Sequence, residues 1–318
     1  MESDIAFGPV PSRRLGRSMG INNIPPKICT YSCVYCQLGR TLDMQVERKE
    51  FYSPEKVMGE VERKVREAED SGERVDYLTF VPDGEPTLDI NLGREIDMLK
   101  QTGIKIAVIT NSSLIWREDV RNELCGADWV SLKVDSVTED TWHRVDRPHG
   151  RLELGKIMDG IEDFSRDFEG ELATETMLVS GFNDGEDETG RIASFISGLK
   201  TDKSYISIPT RPPAEKWVKP APEYNINAAY QIFSNAGIDA EYLIGYEGNE
   251  FSSTGNAEED LLGIMSVHPM REDAVKEFLE KGGAGMQVIE KMLAGEKIIE
   301  LDYGGNRFYM RKLSGKHR

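Results

Sequence analysis

The sequence predicts an α/β fold built on a parallel sheet, followed by a small α+β domain. Two observations predict it. Short apolar strands alternate with helix-period stretches six times before about residue 215, the pattern of parallel strands joined by right-handed crossovers. Beyond that point the alternation gives way to three short helical stretches and a glycine-centred pair of strands.

Residues 18–24 run into Pro25-Pro26 and read as the first strand. Ser53 and Pro54 supply an N-cap and a proline at the first helical position; Val57, Met58, Val61 and Val65 then recur at helical spacing toward a stop near Ser71-Gly72. The second strand is 77–81, and a helix over 91–101 leads to the third, 105–110. A helix over 117–125 precedes the fourth strand, 129–134, and helices over 138–146 and 152–167 lead to the fifth, 172–179. A helix over 186–199 precedes the sixth, 205–208, after which a helix over 224–236 and a strand over 239–244 should close the open side of the sheet. Periodicity does not separate a doubly wound sheet from a barrel. In both, the active site lies at the C-terminal ends of the strands, where the polar, Gly and Pro residues of this chain gather.

The glycine-, serine- and asparagine-rich segment 245–256 reads as a linker or lid, giving domains at 1–250 and 257–318. The second domain has helices over 257–264, 271–280 and 285–294, then a hairpin turning at Tyr303-Gly304-Gly305-Asn306. Three short helices and a hairpin resemble a winged helix, a module that reads DNA through one helix or docks RNA or protein.

With 318 residues, 39% hydrophobic and 30% charged, the composition is that of a water-soluble globular protein. No apolar run reaches the length of a membrane span, and the first residues lack a signal peptide. Four cysteines, three of them within eight residues, are no disulfide framework and point to a reducing cytoplasm. The net charge of −17 opposes generalised nucleic-acid binding. It is uneven: residues 266–318 carry +2 and residues 1–265 carry −19. The basic tail, with Arg307, Arg311, Lys312, Lys316 and Arg318, is either a solvated terminus or a contact for an anionic partner such as tRNA. The run 11–17, with Arg13, Arg14 and Arg17, offers phosphate or carboxylate ligands, although such arginines usually pair with surface acids.

The central motif is Cys29-Thr30-Tyr31-Ser32-Cys33-Val34-Tyr35-Cys36. A mononuclear zinc site wants four ligands, and here the fourth would have to be Cys125. Three cysteines on a [4Fe–4S] cluster leave one iron open to a non-protein ligand. At this spacing, with Tyr35 before the last cysteine, the motif resembles that of the radical S-adenosylmethionine superfamily. The resemblance spans residues 8–215. It implies a partial (β/α)6 barrel of TIM type and a [4Fe–4S] cluster on Cys29, Cys33 and Cys36 whose open iron chelates S-adenosylmethionine. It also implies a low-potential electron donor of flavodoxin or ferredoxin type. The chemistry implied is reductive cleavage of S-adenosylmethionine to a 5′-deoxyadenosyl radical, which abstracts hydrogen from a large substrate.

Asp83-Gly84-Glu85-Pro86 resembles the family's Gly-Gly-Glu-Pro segment, which holds the ammonium of S-adenosylmethionine; Asp83 replaces the first glycine. Asn111 ends the third strand, and Ser131, Lys133 and Asp135 share one face of the fourth, which in relatives reaches the ribose or carboxylate. Glu175 and Met177 alternate in the same way on the fifth strand. Ser180 and Asn183 lie in the turn that in relatives often packs near the adenine. Arg147, beside His143 and His149, and Arg211 are candidates for a substrate anion. No catalytic residue is assigned.

The run 11–17, the cysteine motif and Phe-Ser-Ser-Thr-Gly-Asn at 251–256 resemble the tRNA wyosine synthase group. That group carries a second cluster on upstream cysteines, whereas this chain has none before Cys29. Cys125 reads as a buried thiol near a helix end. Modification of a tRNA base therefore stands beside activation or modification of a protein partner. A third reading is a non-enzymatic metal-binding winged-helix regulator.

Overall fold

The computed structural model describes residues 5–243, 256–267 and 269–312. The linker or lid expected at 245–256 lies almost wholly outside the described residues, as do Lys316 and Arg318. Along the chain run β1 Ala6–Ser12, β2 Gly16–Ile21, β3 Ile28–Cys29, β4 Asp43–Met44, α1 Pro54–Asp70, β5 Tyr77–Phe80, α2 Leu92–Leu99, β6 Lys105–Thr110, α3 Glu118–Leu124 and β7 Trp129–Lys133. They are followed by α4 Glu139–Val145, α5 Leu154–Asp167, β8 Glu171–Met177, α6 Glu186–Ile196, β9 Lys203–Ser207, α7 Glu223–Asn235 and β10 Ala240–Leu243. The C-terminal part holds α8 Ala257–Val267, β11 Met270–Arg271, α9 Glu272–Lys281, α10 Gln287–Ala294, β12 Ile298–Tyr303 and β13 Asn306–Arg311.

One sheet of order β1-β2-β5-β6-β7-β8-β9-β10 dominates, parallel throughout except for the β1–β2 hairpin. Side chains alternate across its strands and so sort into two faces. Leu78, Phe80, Ile106, Val108, Val130, Leu132, Leu172 and Ile206 are buried in the core that the helices share. The opposite face carries Ala107, Trp129, Ala173 and Tyr205, packed with Leu15 and Leu243. Further along the strands that second face turns polar.

Two expectations need correction. The strand expected at 18–24 is β2, and it pairs with an unforeseen partner, β1. The arginines expected on surface acids divide: Arg17 does pair with Glu73, but Arg14 reaches inward to Glu175 at 2.6 Å. Strand β10 adds to the free side of β9, and β1 and β10 are the two edges of the sheet rather than a closed seam.

In the C-terminal part β11, β13 and β12 form a small antiparallel sheet in that order. Its core of Leu261, Ile264, Met265, Met270, Val275, Phe278, Ile289 and Ile298 takes in Phe7 and Val10 of β1. The β1 edge is thereby covered, which protects it from pairing with another chain. No helix among the described residues is long and apolar enough to cross a membrane.

Candidate active site

The cysteine loop leaves β2 and crosses the C-terminal ends of the parallel strands. Backbone bonds fix it from several sides. Lys27 N donates to Asp83 O (2.7 Å), Glu85 N to Ile28 O (3.2 Å), Ser32 N to Asp146 O (3.0 Å) and Val34 N to Val145 O (2.9 Å). Gly84 is required by this closeness, since a Cβ there would lie 1.9 Å from the Ile28 carbonyl oxygen.

Cys29, Cys33 and Cys36 are partly buried, and their thiols share one electrostatic neighbourhood. Burial, with the nearby Glu85 adding to it, pushes the Cys29 thiol up to about 12. Burial likewise raises Cys33, helped by Asp146, and Cys36, where Lys27 opposes the shift. These thiols therefore stay protonated until a cationic centre replaces their protons. Asn111 Nδ2 lies 3.5 Å from Cys29 Sγ, and Cys33 Sγ lies 3.5 Å from Asp146 Oδ1. Cys125 is exposed, which corrects the expectation of a buried thiol. It caps α3, the helix that carries the chain from the end of β6 back to the start of β7, so it lies at the opposite end of the sheet. With Cys125 at the other end of the sheet, the zinc reading loses the fourth ligand it needed. Three thiols and no fourth suit a cluster with one open iron.

Glu85 caps the short 3-10 turn that follows β5. It is fully buried, and its carboxylate accepts from Thr87 N (3.1 Å), Thr87 Oγ1 (2.6 Å), Thr110 Oγ1 (2.7 Å) and Asn111 N (2.8 Å). Burial raises its pKa while these donors oppose the rise. The carboxylate thus ties the β5 turn to the end of β6. Pro86 opens the short 3-10 turn Pro86–Leu88, and its carbonyl accepts from Asn23 Nδ2 at 3.2 Å. Asp83, in the place of a glycine, forms a buried ion pair with Lys27 at 3.3 Å. Burial still lifts Asp83 to about 6, against the pull of Lys27.

The inner face beside this loop is charged. Lys133 Nζ lies 2.8 Å from Glu175 Oε1 and 5.1 Å from the centroid of the Tyr35 ring. Glu175 also accepts from Ser207 Oγ (3.1 Å) and from Arg14, whose guanidinium lies between Trp129 and Tyr205 at 5.9 and 5.8 Å. Burial opposes the charge of Glu175, but Lys133 and Arg14 overcome it and hold the carboxyl at about 2. Tyr35 donates to Asp135, which also accepts from Met177 N at 2.7 Å. Burial, then repulsion from Asp135, raises Asp146 well above the carboxylate range. Ser131 is buried on the same face, two residues before Lys133.

Asn183 is fully buried and spends its side chain on the protein: Nδ2 donates to the carbonyls of Asp135 and Met177, both at 2.8 Å, and Oδ1 accepts from Val179 N at 2.7 Å. It braces the β7 and β8 ends. Ser180 N donates to Lys219 O at 3.0 Å. Arg147 pairs with Glu215 at 2.5 Å, and Arg211 donates to Gln37 at 3.0 Å, so both stand at the rim of the cysteine loop. Lys27 and Asp146 went unassigned in the sequence, and Arg14 was read only as one of three possible anion ligands or surface pairs. The clearest signal for Lys27 was Asp83, whose charge in place of a glycine called for a partner.

A family model described as the Radical SAM superfamily matches residues 23–193. The chain belongs to the radical SAM superfamily. A UPF0026 protein of Methanocaldococcus jannaschii is 49% identical over 316 residues, covering 99% of this chain and 98% of that protein. Among solved structures, a radical SAM methyltransferase from Sphaerobacter thermophilus aligns with a TM-score of 0.55 and 16% identity, over 71% of this chain and 66% of that one. The SuiB protein of Streptococcus suis bound to S-adenosylmethionine aligns with a TM-score of 0.52 and 13% identity, over 70% and 49%. Radical SAM proteins are enzymes that use a [4Fe–4S] cluster and S-adenosylmethionine, and these are the cofactors of this chain. Such enzymes need a reductant such as flavodoxin or ferredoxin.

Proposed function

We propose that this radical SAM enzyme cleaves S-adenosylmethionine reductively and abstracts hydrogen from a base of tRNA, on a partial barrel at 1–250 joined to a winged-helix-like domain at 257–318. The observation that carries the radical chemistry is the three-thiol loop held over the strand ends by Asp83-Gly84-Glu85 and by Val145–Asp146. The element order α8-β11-α9-α10-β12-β13 supports the winged-helix reading. The tRNA substrate rests on the likeness of the runs at 11–17, 29–36 and 251–256 to the wyosine synthase group.

Cys29, Cys33 and Cys36 hold the cluster. When bound and reduced, it supplies the electron that splits S-adenosylmethionine into methionine and the 5′-deoxyadenosyl radical. The backbone of Gly84-Glu85-Pro86 lines the S-adenosylmethionine site, with Glu85 acting as a positioning residue through Thr87, Thr110 and Asn111. Asn111, Tyr35, Ser131, Lys133 and Asp135 face the bound cofactors, and the turn from Ser180 to Asn183 shapes the adenine side. Packing of the loop against β5 and α4 excludes water from the reacting groups.

Glu85→Gln offers one acceptor oxygen where four donors converge. It is expected to weaken S-adenosylmethionine binding and also to lower stability by about 1–3 kcal/mol. Anaerobic calorimetry and thermal melts read the two effects; weakened binding with unchanged stability would make Glu85 a direct ligand instead. For the reaction, anaerobic protein with S-adenosylmethionine and a reductant is incubated with tRNA from cells lacking this protein. 5′-Deoxyadenosine formation should rise several-fold, with a mass change in one nucleoside. Stimulation by a protein fraction and not by tRNA would move the substrate to the protein class.

A further inference from the structure

The loop over 209–222, after β9, folds onto the outer side of the cysteine loop. Glu215 N donates to Val34 O at 3.1 Å, and Val218 packs with Val34, Val145 and Val179. On its outer side Trp217 packs against Phe182 in a tilted pair, with centroids 5.1 Å apart and planes 30° apart, and the Arg144 guanidinium lies 4.6 Å from the centroid of the Phe182 ring. Trp217 is 46% exposed, an unusual cost for the largest side chain unless something covers it.

Cations surround this pair. Arg40 and Arg147 hold the buried Glu215 at 2.9 and 2.5 Å, with 67% and 40% of their side chains exposed. Arg144 pairs at 3.6 Å with the exposed Asp140. Lys216 and Lys219 are exposed and, among the described residues, make no ion pair. Four of the described C-terminal cations pair within their own part of the chain. Arg307 is paired with Glu300 at 3.2 Å, Lys312 with Glu296 at 3.0 Å, and Lys291 and Lys297 with Glu258. Like the three rim arginines they share their charge with acids, and at the rim Lys216 and Lys219 add charge that no ion pair shares among the described residues.

We infer that the Phe182–Trp217 pair with Arg40, Arg144, Arg147, Lys216 and Lys219 is the docking surface for a single-stranded RNA segment, its base stacked on Trp217 and its phosphates on the cations. The inference rests on the tRNA reading above and assigns contact to the barrel mouth rather than to the basic tail. An exposed aromatic face flanked by unpaired lysines is the arrangement that binds unstacked bases. The acidic part over residues 1–265, at −19, repels a polyanion from the rest of its surface and so favours this rim. An RNA held here lies beside the loop that carries Cys33 and Cys36.

The test uses the anaerobic full-length holoenzyme, labelled tRNA and a fully paired RNA duplex of equal length. Trp217→Ala should weaken tRNA binding about 5- to 150-fold, the range for losing one stacked base, and leave duplex binding alone. The pair Lys216→Gln/Lys219→Gln should flatten the log–log salt slope by about 1.4 to 1.8, since each neutralised phosphate contributes roughly 0.7 to 0.9. Thermal midpoints equal to wild type show that both variants fold. If tRNA binds but neither variant changes it, this surface is wrong and the tRNA reading survives. Absence of tRNA binding at low salt overturns both. Unchanged tRNA binding with slowed cluster reduction by flavodoxin assigns the rim to the electron donor and overturns the inference.

Discussion

Replacing Cys29, Cys33 or Cys36 by Ala is expected to reduce S-adenosylmethionine cleavage to background, while Cys125→Ala leaves it at the wild-type rate. The three thiols sit in one loop that backbone bonds to Asp83, Glu85, Val145 and Asp146 hold in place. Removing any one leaves two donors, too few to retain a cluster against loss to solvent. Cys125 is exposed at the end of α3, at the other end of the sheet, and has no part in that set. The check is anaerobic 5′-deoxyadenosine formation, read beside iron content for each variant. Substantial cleavage by one of the three Ala variants, or its loss in Cys125→Ala, would contradict the ligand assignment.

Glu175→Gln is expected to be the most destabilising conservative change in the barrel. Glu175 is the shared anion of Arg14 and Lys133, at 2.6 and 2.8 Å. Without it Arg14 stays buried without its carboxylate and Lys133 keeps only the neighbouring Asp135. Breaking a buried pair in this way typically costs about 3–5 kcal/mol. A pH dependence accompanies it. The folded pKa of about 2 lies below the ordinary 4.5, so the carboxylate contributes stability above the unfolded pKa. That contribution, on the order of 3 kcal/mol, is lost as pH falls from 4.5 through 2. Thermal melts across this window should show a steep acid limb in wild type and a flatter one in Glu175→Gln. Adding Arg14→Met to Glu175→Gln should recover part of the loss, because one stranded cation is then gone. Equal melting of wild type and Glu175→Gln at neutral pH would mean that the pair is screened by solvent.

The sequence made legible what local chemistry dictates. Ser53 caps α1 by accepting from Lys56 N at 3.3 Å, as its place before Pro54 required. The period-2 rule put Lys133 and Asp135 together on one side of their strand and Glu175 and Met177 together on one side of theirs, and the parallel register then sets Lys133 beside Glu175 on the same face of the sheet. Strand β1 was hidden because Pro9 and Pro11 read as strand breakers; an edge strand tolerates them, having ladder bonds on one side only. The Arg14–Glu175 pair spans 161 residues and has no local signature. Glu85 could be located from its motif, but the donors that turn its carboxylate inward come from Thr87 and from the next strand. The rim stayed unread for the same reason: Arg40, Arg144, Phe182 and Trp217 meet only once the 209–222 loop has folded over the cysteines.

The central claim is that one cluster with one open iron sits on Cys29, Cys33 and Cys36. Iron and acid-labile sulfide measured on anaerobically prepared protein test it most directly. The account predicts about four of each per chain, with an electron paramagnetic resonance signal of the reduced cluster that changes when S-adenosylmethionine is added. Stoichiometric zinc, iron near eight, or a reduced-cluster signal indifferent to S-adenosylmethionine would contradict it.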